Sequence, residues 1–280
     1  MTEENKQNND EQAAEPTSAS IDETENTQAV DLPAQKEVAS VPRELTVTNP
    51  VQACNDIFIK PSEVFRSLAV KDNWSWFPFL LVSIIAVLPA YLYFGVIDFD
   101  WHVDTQLAAR MGDVAPAQLE SQRELMGTAE SSRFFSLVFT PIALIVVSAL
   151  AALYFTIVTR NDEKSVHSFF DWYGVQWWTM MPYIIGAVVS LAILVMQDPG
   201  AKLSPAVMAP LSLSYVLGLG IDSKWLTFMN EIRVERIWSV FLGAYCLQQW
   251  THFSKAKSYI VAAIPSLFLL LLTLLFAVFS

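Results

Sequence analysis

The densest run of groups able to do chemistry is Asp98, Asp100, His102 and Asp104 in the segment IDFDWHVD. Alternate spacing puts all four side chains on one face if the segment is extended, and carboxylates with an imidazole form a donor set for a divalent ion. The competing reading is a solvated loop at the headgroup boundary, anchored by Trp101. His167 and Asp171 are four residues apart, a helical spacing that would join them as a hydrogen-bonded or pH-responsive pair. Glu235 and Arg236 stand at the start of an apolar stretch, where they can snorkel to the surface or pair with loop charges. Gln248, Gln249 and His252 stand towards its other end, and amides within a span can hydrogen-bond across helices. Cys54 and Cys246 read as packing residues, with Cys54 also placed for acylation. The chain has no phosphate-binding glycine loop, HExxH, GxSxG or CxxC. It is therefore expected to be no enzyme and to carry no cofactor or resident metal.

The elements that must position these residues follow from composition. Hydrophobic residues make up 53% of the 280 and charged residues 16%, a balance that points to lipid as the main solvent of the fold. The net charge of −11 is concentrated at the start, where residues 1–49 hold eleven acidic side chains against Lys6, Lys36 and Arg43. No face gathers Lys and Arg as phosphate neutralisation requires, so nucleic acid is excluded as a partner. Residues 1–49 are polar, acidic and nearly free of aromatics, which predicts a disordered cytoplasmic tail. The opening MTEENKQNNDEQ lacks the basic and apolar regions of a cleaved signal. The first span is expected to serve as signal.

Five apolar stretches, 76–97, 134–158, 175–196, 234–253 and 258–279, are each long enough to cross a hydrocarbon core of about 30 Å. The fold class is therefore all-α, a polytopic membrane bundle of five transmembrane helices, with six possible. The sixth candidate, 203–221, is uncharged but carries Pro205, Pro210, Gly218, Gly220 and serines, so it reads as interfacial or re-entrant. Lys60, Arg66, Lys71, Arg160, Lys164, Lys255 and Lys257 fall on the tail side of a five-span arrangement. This places the N-terminus in the cytoplasm and the C-terminus outside it, in the inner (plasma) membrane. Prolines 89, 141, 182 and 265 predict bent helices, since neighbours can satisfy the freed backbone.

Residues 50–75 form a juxtamembrane amphipathic segment, with Val64, Phe65, Leu68 and Ala69 on one face and Ser62 as N-cap. Trp172, Tyr173, Trp177 and Trp178 read as aromatic anchors at the membrane boundary. Ser148 with Ala152, and Gly186 with Ser190, have the spacing that lets backbones approach, for packing or for self-association.

Four stretches of text carry a family likeness across residues 50–280. They are NPVQACNDIFIKPSEVFRSLA with Pro61 and Phe65, FFDWYGVQWWTMMP before the third span, Ile237-Trp238 in the fourth, and the loop Ser254-Lys255-Ala256-Lys257. With the acidic tail and five spans, they resemble the Yip (Ypt-interacting, "Yip one") family in its bacterial form. The long loops after spans one and three, and the Asp-rich stretch, depart from its eukaryotic pattern. Eukaryotic members are membrane adaptors for small Rab-type GTPases; the resemblance implies a membrane adaptor, and carrying the trafficking role over would be fold-level analogy. No family site residue maps one by one. The function expected is a non-enzymatic adaptor or scaffold using Phe65, Tyr173, Gly186, Ser190, Gln248 and Gln249 as interface residues. Its partners would be the lipid bilayer and a cytoplasmic protein or a second copy. The alternative is a small transporter or channel with 203–221 re-entrant.

Overall fold

The computed structural model describes residues 45–111 and 115–279. The disordered reading of 1–49 thus lies outside the described residues, except for its last five. Those five do not behave as tail: Val47 is buried and its carbonyl accepts the Ser67 hydroxyl at 3.3 Å. Every regular element among the described residues is helical. Before the first span come α1 (Pro50–Asp56) and α2 (Pro61–Leu68), then α3 (Trp76–Val96), α4 (Phe99–Met111), α5 (Pro116–Met126) and α6 (Ala129–Thr159). The chain continues with α7 (Phe169–Thr179), α8 (Tyr183–Val195), a 3-10 turn (Pro205–Met208), α9 (Leu213–Val216) and α10 (Leu226–Glu231). It ends with α11 (Val234–Trp250) and α12 (Lys255–Phe279).

Local chemistry sets these boundaries. Asn49 caps α1 by accepting Gln52 N–H at 2.8 Å, with Pro50 in the first turn, where a missing N–H costs nothing. In α2 the N-cap is Lys60 without a side-chain bond, because Pro61 takes the first helical position; Ser62, expected as cap, lies inside. Thr128 and Ser131 form a capping box that starts α6 at Ala129, five residues before its apolar run. Ser168 and Asp171 do the same for α7. Proline 89, 141 and 265 lie within α3, α6 and α12, whereas Pro182 separates α7 from α8.

Four helical rods are long and apolar enough to cross a membrane: Trp76–Val96, Ala129–Thr159, Phe169–Val195 and Lys255–Phe279. The stretch expected to be the fourth of five spans is shorter than its hydropathy suggests. It forms α11, 17 residues and about 26 Å long. No helix within 203–221 is longer than four residues. That segment does not form a sixth span.

The core is aromatic. Trp172, Trp177 and Trp178 are among the largest fully buried side chains, which corrects their reading as boundary anchors. The reason is that α7 packs against α3, α6 and α11, so three of its sides meet protein. Trp177 meets Phe79 edge-on at 4.8 Å, Phe155 stacks on Trp172 at 5.4 Å, and Trp178 donates its indole N–H to Ser75 Oγ at 3.2 Å. The amphipathic face of α2 is likewise turned inward. Val64 and Phe65 are buried against the end of α11, where the Trp250 indole N–H donates to the Phe65 carbonyl at 2.8 Å.

Phe65→Ala should therefore destabilise the protein by about 3–5 kcal/mol. Thermal unfolding of the detergent-solubilised chain would measure this, with faster proteolysis near residues 45–70. An unchanged profile would mean that α2 is not docked.

Candidate functional site

The candidate metal run Asp98, Asp100, His102 and Asp104 does not converge. Residues 99–111 are helical, so every-second-residue spacing spreads the side chains around α4 instead of along one face. Asp98 accepts Trp101 N–H at 3.0 Å, and Asp100 and Asp104 pair with Arg123 of α5. His102 turns inward, its Nδ1 3.0 Å from the Tyr93 hydroxyl, which in turn donates to the Leu203 carbonyl at 2.9 Å. Burial holds its imidazole below the usual pKa. No group of three or more potential metal ligands occurs among the described residues. The cluster ties α4 to α3 and to residue 203.

His167 and Asp171 do not pair either, because Asp171 is committed to the α7 capping box. His167 precedes the helix and stacks on Trp250 with 3.7 Å between centroids. Burial lowers its pKa, opposed by the nearby Asp171 carboxylate. Gln248 bonds back to the Ala244 carbonyl of its own helix at 3.0 Å rather than across to another. Gln249 is half-buried beside it. Tyr173 is half-buried between Phe169 and Trp177. Phe65, Gly186 and Ser190 are enclosed in the bundle, so they serve internal packing instead of an outer surface. His252 donates its backbone N–H to both oxygens of Asp162, at 3.1 and 3.0 Å, joining two loops at the end of the bundle nearest the tail.

The residues that do converge are Glu231, Arg233, Glu235 and Arg236. Of the two alternatives for Glu235 and Arg236, pairing with loop charges holds and snorkelling does not: Glu235 pairs with Arg233 and Arg236 with Glu231 inside the bundle. Their depth follows from the short α11. Arg236 lines one cavity with Pro89 and Leu269, which are about 20 Å along α3 and α12 from the tail-proximal ends of those helices. About 10 Å of α3 remains beyond that level. The chain reaches this depth because residues 201–233 fold back and satisfy their own backbone. Gly200, in the left-handed region at φ +83°, turns the loop after α8 so that its N–H donates to the Val96 carbonyl at 2.7 Å. Ser204 donates to the Leu219 carbonyl at 2.6 Å, and Ser212 to that of Ala209 at 2.6 Å. Ser214 donates to Asn230 Oδ1 at 3.2 Å, and Leu213 N–H to the Ile232 carbonyl at 2.8 Å. Serines that argued against a span thus permit irregular backbone at membrane depth.

Glu235 is 2% exposed and accepts two bonds from Arg233, at 3.0 and 3.3 Å. Arg233 also lies 4.9 Å over the Tyr183 ring. Gly186 makes room for this pair, since a Cβ there would collide with Glu235 Oε1. Arg236 pairs with Glu231, yet its Nε–H is buried without a partner. Leaving such a donor unpaired costs about 1–3 kcal/mol. The cavity beside it holds about 420 Å³ and is walled mainly by apolar residues of α3, α6 and α12. The signal available in the sequence was the run EIRVER, four charges in six residues following a serine-rich break.

A family model described as Yip1 domain matches residues 55–277. No curated protein and no solved structure matches the chain.

Glu235→Gln should destabilise the protein by about 3–5 kcal/mol, because it leaves Arg233 as a buried charge without its counter-ion. Unfolding in mild detergent would measure the loss. Wild-type stability in this variant would place the pair in water.

Proposed function

The chain belongs to the Yip1-domain family, and from that premise we propose that it is a non-enzymatic adaptor or scaffold of the inner membrane. In this reading α11 is a short span, the fourth of five, the N-terminus is cytoplasmic and the C-terminus lies outside. The observation that carries it is a set of apolar side chains exposed at and before the first turns of the spans, at the end where the acidic tail joins. Val166 and Phe170 are 85% and 78% exposed, and Val51, Ile59 and Val70 are exposed at the same end. Lys60, Lys71, Arg160 and Lys164 stand nearby in sequence. An apolar patch rimmed by charge is the usual form of a protein-docking surface. Phe65 belongs behind it, holding α2 in place. A small transporter is the second reading, favoured by the charged quartet within the bundle. It ranks lower because all four charges are neutralised by one another.

A photo-crosslinker at Phe170 of the full chain in native membranes should give one discrete protein adduct, lost on Val166→Asp or on deletion of 1–44. Deleting as far as residue 72 would also remove the packed α1 and α2 and could not test the tail. Adducts to lipid alone would overturn the adaptor reading. Reporter fusions at residues 40, 115, 165, 225 and 280 should report inside, outside, inside, outside and outside. A cytoplasmic signal at 280 would overturn the orientation.

A further inference from the structure

Among the described residues lining the 420 Å³ cavity, Arg236 alone has a buried polar atom without a partner. Glu231 engages Nη2 of this guanidinium, and Nε–H is buried with no acceptor. Nearby polar groups of the lining are already occupied: Ser239 donates to the Thr179 carbonyl at 2.6 Å and Thr179 to that of Gln176 at 2.8 Å. Most of the remaining wall is apolar, with Val82 of α3, Leu144 of α6 and Leu269 of α12; Arg233, the other guanidinium of the lining, is held by Glu235. Its volume falls in the range of small-molecule sites, about 300–1,000 Å³, whereas close-packed interiors leave few voids larger than a water molecule.

The cavity also has a side entrance. Helices α6 and α12 both contribute walls but are not a packed pair; they are bridged where Tyr154 Oη donates to the Val261 carbonyl at 3.0 Å. From that bridge they run towards the end opposite the tail. Val146 and Leu150 on α6, and Phe268 and Leu272 on α12, are exposed along the same stretch. In a bilayer those surfaces meet acyl chains. Depth matches too: Arg236 lies about 10 Å below the far end of α3, and Val82 about 10 Å further in.

We propose that this cavity binds one acyl chain of a phosphate-bearing membrane lipid, admitted between α6 and α12, with the phosphate accepting from Arg236. The Arg236 side chain lines the cavity and suits the head, since guanidinium N–H groups match phosphate oxygens. The apolar wall suits the chain. This site goes beyond the adaptor reading and does not depend on it.

The test titrates the full-length chain, purified in mild detergent, with 1-oleoyl-lysophosphatidic acid and counts bound lipid by native mass spectrometry. One equivalent should bind. Arg236→Gln should weaken binding by about tenfold or more, and Ala151→Phe, which fills the chain end without touching a charge, should abolish it. Ala86→Leu is a smaller filling and should weaken binding; thermal unfolding near that of wild type shows that each variant is folded. Monoolein, which has the chain without phosphate, and inorganic phosphate, which has no chain, should each bind about tenfold more weakly or less. No binding by the wild type, equal binding of monoolein, competition by phosphate alone, or wild-type affinity in folded Ala151→Phe or Ala86→Leu would each overturn the proposal.

Discussion

A backbone that leaves helical geometry at membrane depth must find its hydrogen-bond partners within the protein. In this chain the whole middle of the bundle answers to that requirement. Residues 201–233 descend among the helices, and their amides and carbonyls are met by Ser204, Ser212 and the ladder between 211–213 and 232–234. Because the segment descends, α11 begins far below the end of α3. Because α11 begins there, Glu231, Arg233, Glu235 and Arg236 are held away from water. The pairing of these charges, the need for glycine at 186 and the unfilled space beside Arg236 all follow from one detour of the chain.

The aromatic residues play a second structural part. Trp172, Trp177, Trp178 and Trp250 sit inside, where they join α7 to α3, α6 and the end of α11. Helices in lipid gain little from burying apolar area against one another, because lipid tails are equally apolar. Large flat side chains that interlock supply specificity in its place, and Trp178 and Trp250 add indole N–H bonds to Ser75 and to the Phe65 carbonyl. The same logic places α2, whose apolar face covers the tail-proximal end of this core.

Hydropathy in the sequence was enough to see the membrane class and the four rods, since each depends on runs of 20 or more apolar residues, whereas the family was legible from stretches such as FFDWYGVQWWTMMP. Capping chemistry was only partly readable. Ser168 and Asp171 lie in a spacing that reads equally as an i,i+3 cap or as His167 paired with Asp171, and the cap prevailed because it satisfies two orphan N–H groups. IDFDWHVD left an extended segment and a solvated loop open, yet a helical register buries His102 on Tyr93 and frees Asp100 and Asp104 for Arg123. What escaped was depth. Window hydropathy places residues 234–236 at the mouth of a span, and nothing local shows that the thirty residues before them have already carried the chain inward. Tryptophans near a span end were misplaced for a related reason: composition does not tell whether a helix face meets lipid or three other helices.

One length remains consequential. Helix α6 has 31 residues, about 46 Å, against a hydrocarbon core of about 30 Å. A rod so mismatched must lean or stand proud, and its lean varies with the thickness of the surrounding bilayer. Since α6 forms one post of the opening beside α12, thinner and thicker membranes would set that opening to different widths. The mechanical state of the lipid and access to the interior thus become a single variable.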